Sequence, residues 1–209
     1  MRKLIAAAFV SLDGVMQAPG GPEEDPSEYF ALGGWTAPFW DEATNPFMGI
    51  FDQPSDHPFD LLLGRKTYDI FAGYWPEHQE HPIGPLFNRV TKYVATATPD
   101  TLNWVNSVGL SSDVPAKVAA LKQGDGPDLL TQGSSVLLHS LLAHDLIDEL
   151  RLMIFPVVLG AGKRWFDASS RPARFTLTHS ETSATGVTSV LYRRAGAVQT
   201  GTIGEPPEA

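Results

Sequence analysis

At 209 residues the chain has the length of one domain with a substantial core. It contains no cysteine, which excludes thiol catalysis, Cys-based zinc sites and the deaminase pattern of a His/Glu motif followed by Cys-x-x-Cys. A net charge of −9 argues against nucleic acid or an anionic membrane as partner, and no apolar run approaches the roughly 18–20 residues that span a bilayer.

The run "KLIAAAFV" (3–10) follows Arg2 and could pass for the apolar part of a signal peptide. "SLDG" stands where a small-residue cleavage site belongs, so the run is read as a first strand and the protein as cytoplasmic. Residues 17–34 are rich in Gly, Pro and acids and form a long loop of the kind that serves as a lid. "TAPFWDEA" (36–43) reads as a helix start with Thr36 as cap, interrupted by Pro46. A buried strand at 59–63 hands over to "RKTYDIFAGYW", a helix that presents Tyr68, Phe71 and Ala72 inward. Residues 81–90 read as a Pro/Gly-punctuated connection, 91–98 as a third strand, and 101–110 as holding a weaker one. A helix over 113–123 has Asp113 as cap. A short strand within 125–132 leads to a helix over 133–150, where Val136, Leu137, Leu141 and Leu142 recur at helical spacing. Residues 149–160 form a long strand in which Pro156 predicts an edge or a bulge. Two antiparallel strands follow, and residues 195–209 read as a disordered tail beyond a domain of 1–194.

Strands that alternate with helices and then run on alone indicate an α/β sheet, mostly parallel with an antiparallel tail, whose ligand lies beyond the C-terminal strand ends. Residues 11–14, 64–67, 96–98 and 133–135 all fall there. Gly133-Ser134-Ser135 is a strand-to-helix turn suited to a phosphate, or an ordinary N-cap in which a Ser oxygen takes up the same donors. Gly64-Arg65-Lys66-Thr67 is a second such turn with two cations and a hydroxyl, or a solvated charge pair beside a turn. No Lys or Arg occurs between Lys3 and Arg65, so these cations are local exceptions in an acidic segment.

Other motifs fail. "GAGK" (160–163) has Val157 where a P-loop needs its first Gly and Arg164 in place of Ser/Thr, and no G-x-G-x-x-G occurs. The six histidines show no metal-ligand spacing, so no metal is expected. Asp13, Asp41 and Glu42 are the candidates for acid chemistry, but Asp13 reads first as a turn residue and Asp41 and Glu42 as helix-start residues, so the sequence makes none of them a catalytic acid.

"KLIAAAFVSLDGVM" (3–16), "LLLGRKTYDIFAGYWP" (61–76), "KYVATATPDTL" (92–102) and the 133–166 block appear in an order that resembles the dihydrofolate reductase-like family. The resemblance is to its branch of stand-alone relatives of the riboflavin-biosynthesis reductase (RibD C-terminal) domain, and covers residues 2–194. It implies a mixed, mainly parallel eight-stranded sheet with helices on both faces and an antiparallel C-terminal hairpin. It also implies NADPH as cofactor, with NADH not excluded, and a homodimer acting on a small-molecule substrate. Mapped onto this chain, Gly64, Arg65, Lys66 and Thr67 would hold phosphates at one helix entrance. Gly133, Ser134, Ser135 and Val136 would hold the pyrophosphate, and Thr96 and Thr98 would lie along the adenosine half. Ser11, Gly14 and Val15 would flank the nicotinamide with Asp13 as catalytic candidate, and the 17–34 loop would cover that pocket. The implied activity is reduction of a small heterocyclic, carbonyl or imine substrate, of the 5-amino-6-(5-phosphoribosylamino)uracil reductase type. A non-catalytic nucleotide-binding module and a dihydrofolate reductase are the alternatives. Relatives often carry Ser-Arg-Thr after the third strand, where this chain has Thr96-Ala97-Thr98 and no Arg. Tyr29, Trp35, Phe39, Trp40 and Phe47 are expected either to wall the substrate pocket or to belong to the core.

Overall fold

The computed structural model describes residues 1–40, 59–81 and 83–204. The expectations on Asp41, Glu42, Pro46 and Phe47 lie outside these residues.

Leu4–Ser11 forms β1, and its period-two alternation sorts side chains onto two faces. Ile5 and Ala7 enter one apolar cluster, while Leu4, Ala6, Ala8 and Val10 enter another. A strand buried on both faces reads as an unbroken apolar run, which is why 3–10 looks as it does. β2 (Phe59–Gly64) and β5 (Asp128–Gln132) follow the same rule. β3 (Lys92–Ala95) and β4 (Ser107–Leu110) are shorter than the sequence suggests. β6 (Glu149–Phe155), β7 (Phe175–Thr182) and β8 (Thr188–Arg194) complete one eight-stranded sheet, ordered β4-β3-β2-β5-β1-β6-β8-β7. Every pairing from β4 across to β6 is parallel, and the β6–β8 and β8–β7 pairings are antiparallel.

Helices cover both faces. α1 (Arg65–Tyr74) and α2 (Ile83–Arg89) contribute Tyr68, Ile83, Leu86 and Phe87 to the first cluster. α3 (Val114–Gln123) and α4 (Ser135–Ala143) contribute Val118, Leu137, Leu138, Leu141 and Leu142 to the second. Asp113 caps α3 by accepting from the Ala116 N–H.

Three expectations are corrected. Residues 83–89 are a helix, not a connection, because Pro85 sits in the first turn, where a missing N–H costs nothing. The helix expected over 133–150 stops at Ala143, and Asp145 turns left-handed (φ 53°) before β6 begins. β6 ends before Pro156 and runs between β1 and β8, so the proline marks neither an edge nor a bulge. The apolar side chains of that strand, Leu150, Leu152, Met153 and Phe155, are buried within the chain's own core. The aromatics Trp35 and Phe39 also join the core, packing edge-on against Phe155, whereas Tyr29 is fully exposed.

Lys92 is wholly buried, donating to the carbonyls of Phe87 (2.6 Å) and Val90 (2.8 Å) at the end of α2. Its ammonium lies 4.5 Å from the centre of the Trp104 ring. Burial lowers its pKa from 10.5 to about 8, opposed by the charge of Asp60. Between those two values the unfolded chain holds a proton that the folded protein has released, so stability rises with pH across that window. Urea unfolding should therefore show wild type gaining on Lys92→Met as pH is raised from 8 towards 10.5. Identical pH dependence in the two proteins would contradict this.

Candidate active site

A cleft of about 660 Å³ opens beyond the C-terminal ends of the central parallel strands, where Phe9, Gly64 and Gln132 meet its wall. This is the position where open α/β sheets take ligands. Two strand-to-helix turns form one side of it, β2 into α1 and β5 into α4.

The turns are locked to each other by one serine. Ser134 is the N-cap of α4 in a left-handed conformation (φ 65°), yet its hydroxyl caps nothing in its own helix. Instead Ser134 Oγ accepts from the Gly64 N–H at 2.8 Å and donates to Thr67 Oγ1 at 2.7 Å. A Cβ on Gly64 would stand 3.0 Å from both Ser134 Cβ and Oγ, so the close approach of the turns requires glycine there. Gly64, the N-cap of α1, supplies no side-chain cap either. Both helices therefore present first-turn N–H groups that no capping side chain takes up, at the positive ends of their dipoles. The hydroxyl of Ser134 thus joins the two turns and makes no cap hydrogen bond to its own helix. Val136, 83 % exposed, stands on the rim.

The cations of the first turn diverge. Arg65 pairs through Nε with Asp69 one turn along α1 (2.8 Å). Its Nη1 donates to Thr98 Oγ1 (2.9 Å) and Thr101 Oγ1 (2.6 Å), with Thr96 Oγ1 at 3.4 Å. The guanidinium thus lies over the stretch after β3 that lacks its own arginine. Lys66 points the other way and binds the Asp25 carboxylate and Ser27 Oγ (2.9 Å) of the 17–34 loop.

Asp25 is also bound by Lys163 at 2.6 Å, and Lys163 Nζ reaches Ser27 Oγ at 2.8 Å. Burial works against ionisation of Asp25, but hydrogen bonds from Lys163, Lys66 and Ser27 outweigh it and hold the carboxyl far below the ordinary range. Gln17 braces the same loop, donating to the carbonyls of Asp25 (3.0 Å) and Ser27 (2.9 Å) and accepting from the Lys163 N–H. Glu24 beside it differs: burial raises its pKa, the Gly20 and Gly21 N–H groups oppose the rise, and the Asp25 charge adds to it.

Of the residues expected at a cofactor, Gly64, Arg65, Lys66, Thr67, Gly133, Ser134, Ser135 and Val136 line this cleft together. Thr96 and Thr98 do not line it but touch Arg65 at its edge. Ser11, Asp13, Gly14 and Val15 are not part of its lining. Asp13, read as a catalytic candidate, instead ties the end of β1 to the 159–164 loop. It accepts from Ser11 Oγ (2.6 Å) and from the N–H groups of Leu159 (3.1 Å) and Gly160 (2.9 Å), with Arg164 at 3.4 Å. The Ser11 hydroxyl chiefly, offset by burial and aided by those two N–H groups, lowers its pKa to about 2. A group so ionised has no proton to give near neutral pH.

Glu24, Asp25 and Lys163 are cleft residues that sequence reasoning did not single out, as are Ile70 and Trp75 of its apolar wall, while Phe71, expected to face inward, lines the cleft as well. The acidity of the 17–34 loop was the available signal for the first two. Lys163 was visible only as the end of a failed P-loop.

The family model described as RibD C-terminal domain matches residues 2–189. Two proteins of Bacillus subtilis (strain 168) with no assigned function are similar in sequence. YyaP is 25% identical over 93% of this chain and 96% of its own, and YwjB is 28% identical over 77% and 80%. Among solved structures, a protein from Shewanella sp. PV-4 named for riboflavin biosynthesis superposes with a TM-score of 0.59 at 22% identity, covering 92% of this chain and 99% of that one. Dihydrofolate reductase from Enterococcus faecalis, complexed with NADP(H) and RAB-propyl, gives 0.57 at 17% identity over 92% and 96%. A pyrimidine reductase-like protein from Corynebacterium diphtheriae gives 0.57 at 16% identity over 93% and 92%. At such identities these likenesses show the fold.

Proposed function

The chain belongs to the RibD C-terminal domain family, and from that premise we propose that it is an NADPH-dependent reductase acting on a small heterocyclic, carbonyl or imine substrate. The observation that carries this reading is the pair of uncapped helix N-termini, joined through Ser134, that open on one cleft. Their residues fit a dinucleotide: Gly133, Ser135 and Val136 would hold the pyrophosphate, with Gly64 and Thr67 opposite. Arg65, lying against Thr96, Thr98 and Thr101, would take the extra phosphate that distinguishes NADPH from NADH. The bound cofactor would supply a hydride. The chain's own contribution is to orient the two rings and to exclude water, with Phe9, Ile70, Phe71 and Trp75 as the apolar wall and the 17–34 loop held by Asp25 as cover.

Titration of the protein with NADPH, followed by nicotinamide fluorescence and by turnover on a panel of carbonyls and cyclic imines, tests the reading. Absence of binding at millimolar cofactor would remove it. Arg65→Ala should weaken NADPH by about 10- to 100-fold, as expected for losing charge-assisted bonds to a phosphate, and NADH far less. Equal weakening of the two would move Arg65 to the shared pyrophosphate.

A further inference from the structure

Reduction of a C=N or C=O bond requires a proton as well as a hydride, and the cleft holds few groups able to give one. Among the described residues its titratable side chains are Glu24, Asp25, Arg65, Lys66 and Lys163. The Arg65 guanidinium is engaged by Asp69, Thr98 and Thr101. Lys66 and Lys163 are both committed to the Asp25 carboxylate and Ser27. Asp25 takes contacts from both ammonium groups and from the Ser27 hydroxyl, which leaves it ionised and saturated. Asp13 lies off the cleft. Glu24 is the remaining acid among the described residues of the cleft. One of its oxygens, Oε2, accepts from the Gly20 N–H at 2.5 Å, fixing the side chain on the wall. Neither lysine forms an ion pair with it among the described residues.

We infer that Glu24 is the acid of the site, donating its carboxyl proton to the substrate nitrogen or oxygen that receives the electron pair during reduction. This rests on the reductase reading above. The balance is simple: the substrate carbon gains a hydride from a dihydronicotinamide cofactor, which is oxidised, and the π-bond electrons pass to the heteroatom. The Glu24 O–H bond breaks as the new N–H or O–H bond forms, and water at the mouth of the cleft reprotonates the carboxylate. The surroundings suit the role, since burial and the neighbouring Asp25 charge make Glu24 hold its proton to higher pH than a solvated glutamate.

The test compares wild type and Glu24→Gln with NADPH and two probes, phenanthrenequinone and methylpyrroline. In wild type kcat should fall as pH rises through the Glu24 titration, because the acid form is consumed. Glu24→Gln should lose about 100-fold or more in kcat, with the pH dependence flattened and NADPH affinity near that of wild type. Infrared difference spectra should show a carboxylic acid C=O band that persists to higher pH than that of a solvated glutamate and is absent from the variant. A variant with wild-type kcat and pH profile, or a Glu24 that ionises at the pH of a solvated glutamate, overturns the assignment and leaves the reductase reading intact. Wild-type protein that binds NADPH and reduces neither probe overturns the reductase reading. The infrared band then still decides whether the cleft keeps a protonated Glu24.

Discussion

Replacing Gly133 with valine is expected to weaken NADPH binding by about 100-fold while the protein remains folded. Gly133 follows β5 with φ 73°, a left-handed conformation that a β-branched residue rarely adopts. Strain there should cost about 1–3 kcal/mol of stability. A Cβ at this position would stand 3.6 Å from Thr67 Oγ1, which is ordinary contact, so the turn itself need not collapse. The rest of the valine would occupy the cleft wall where a phosphate must approach the α4 N–H groups. Losing one or two charge-assisted hydrogen bonds accounts for the factor. The check is fluorescence titration of the variant alongside its thermal unfolding. A folded variant with unaltered NADPH affinity would take the pyrophosphate away from this turn.

Arg2→Met is expected to destabilise the protein by about 3–5 kcal/mol without touching the cleft. Arg2 and Asp60 are each about 95 % buried and paired, Arg2 also donating to the Pro127 carbonyl and Asp60 accepting from the Thr91 N–H at 3.2 Å. The pair joins the start of β1 to β2 and to the approach of β5. Removing the guanidinium alone takes one buried counter-charge from a carboxylate that stays in the interior, and that penalty dominates. Replacing both partners, Arg2→Met with Asp60→Leu, should recover much of the loss because neither charge of this pair then stays buried. Urea midpoints measure both. A single variant as stable as wild type would mean that solvent reaches the site after all.

Arg2 also shows where a sequence stops being legible. Beside Lys3 and before an apolar run it looks like the basic start of a leader or a solvated end, and nothing local says that it is buried. β1, β2 and β5 were readable because strands buried on both faces need uninterrupted apolar runs. α2 was not, because Gly84 and Pro85 look like breakers unless one knows that they sit in a first turn. Gly84 is required there, since a Cβ would come within 2.2 Å of the His78 carbonyl oxygen.

The candidate site divides in the same way. The two turns were legible because glycine, hydroxyl and cation must be local to make them. The Asp25–Lys163 contact spans 138 residues of chain and the Arg65–Thr98 contact spans 33, and no periodicity encodes either. Arg65 lies in space against the stretch after β3 that has no arginine of its own. The bonds of Asp13 to the 159–164 loop were not legible, because a carboxylate that closes a strand looks the same in sequence whether it holds a loop or serves a substrate.

Two helix N-termini sharing one anion site are tested most directly by backbone amide spectra of isotope-labelled protein during NADPH addition. The amides of residues 64–67 and 133–136 are expected to shift together, as one saturable event. Shifts confined to other surfaces, or none at millimolar cofactor, would contradict a nucleotide cleft built on these turns.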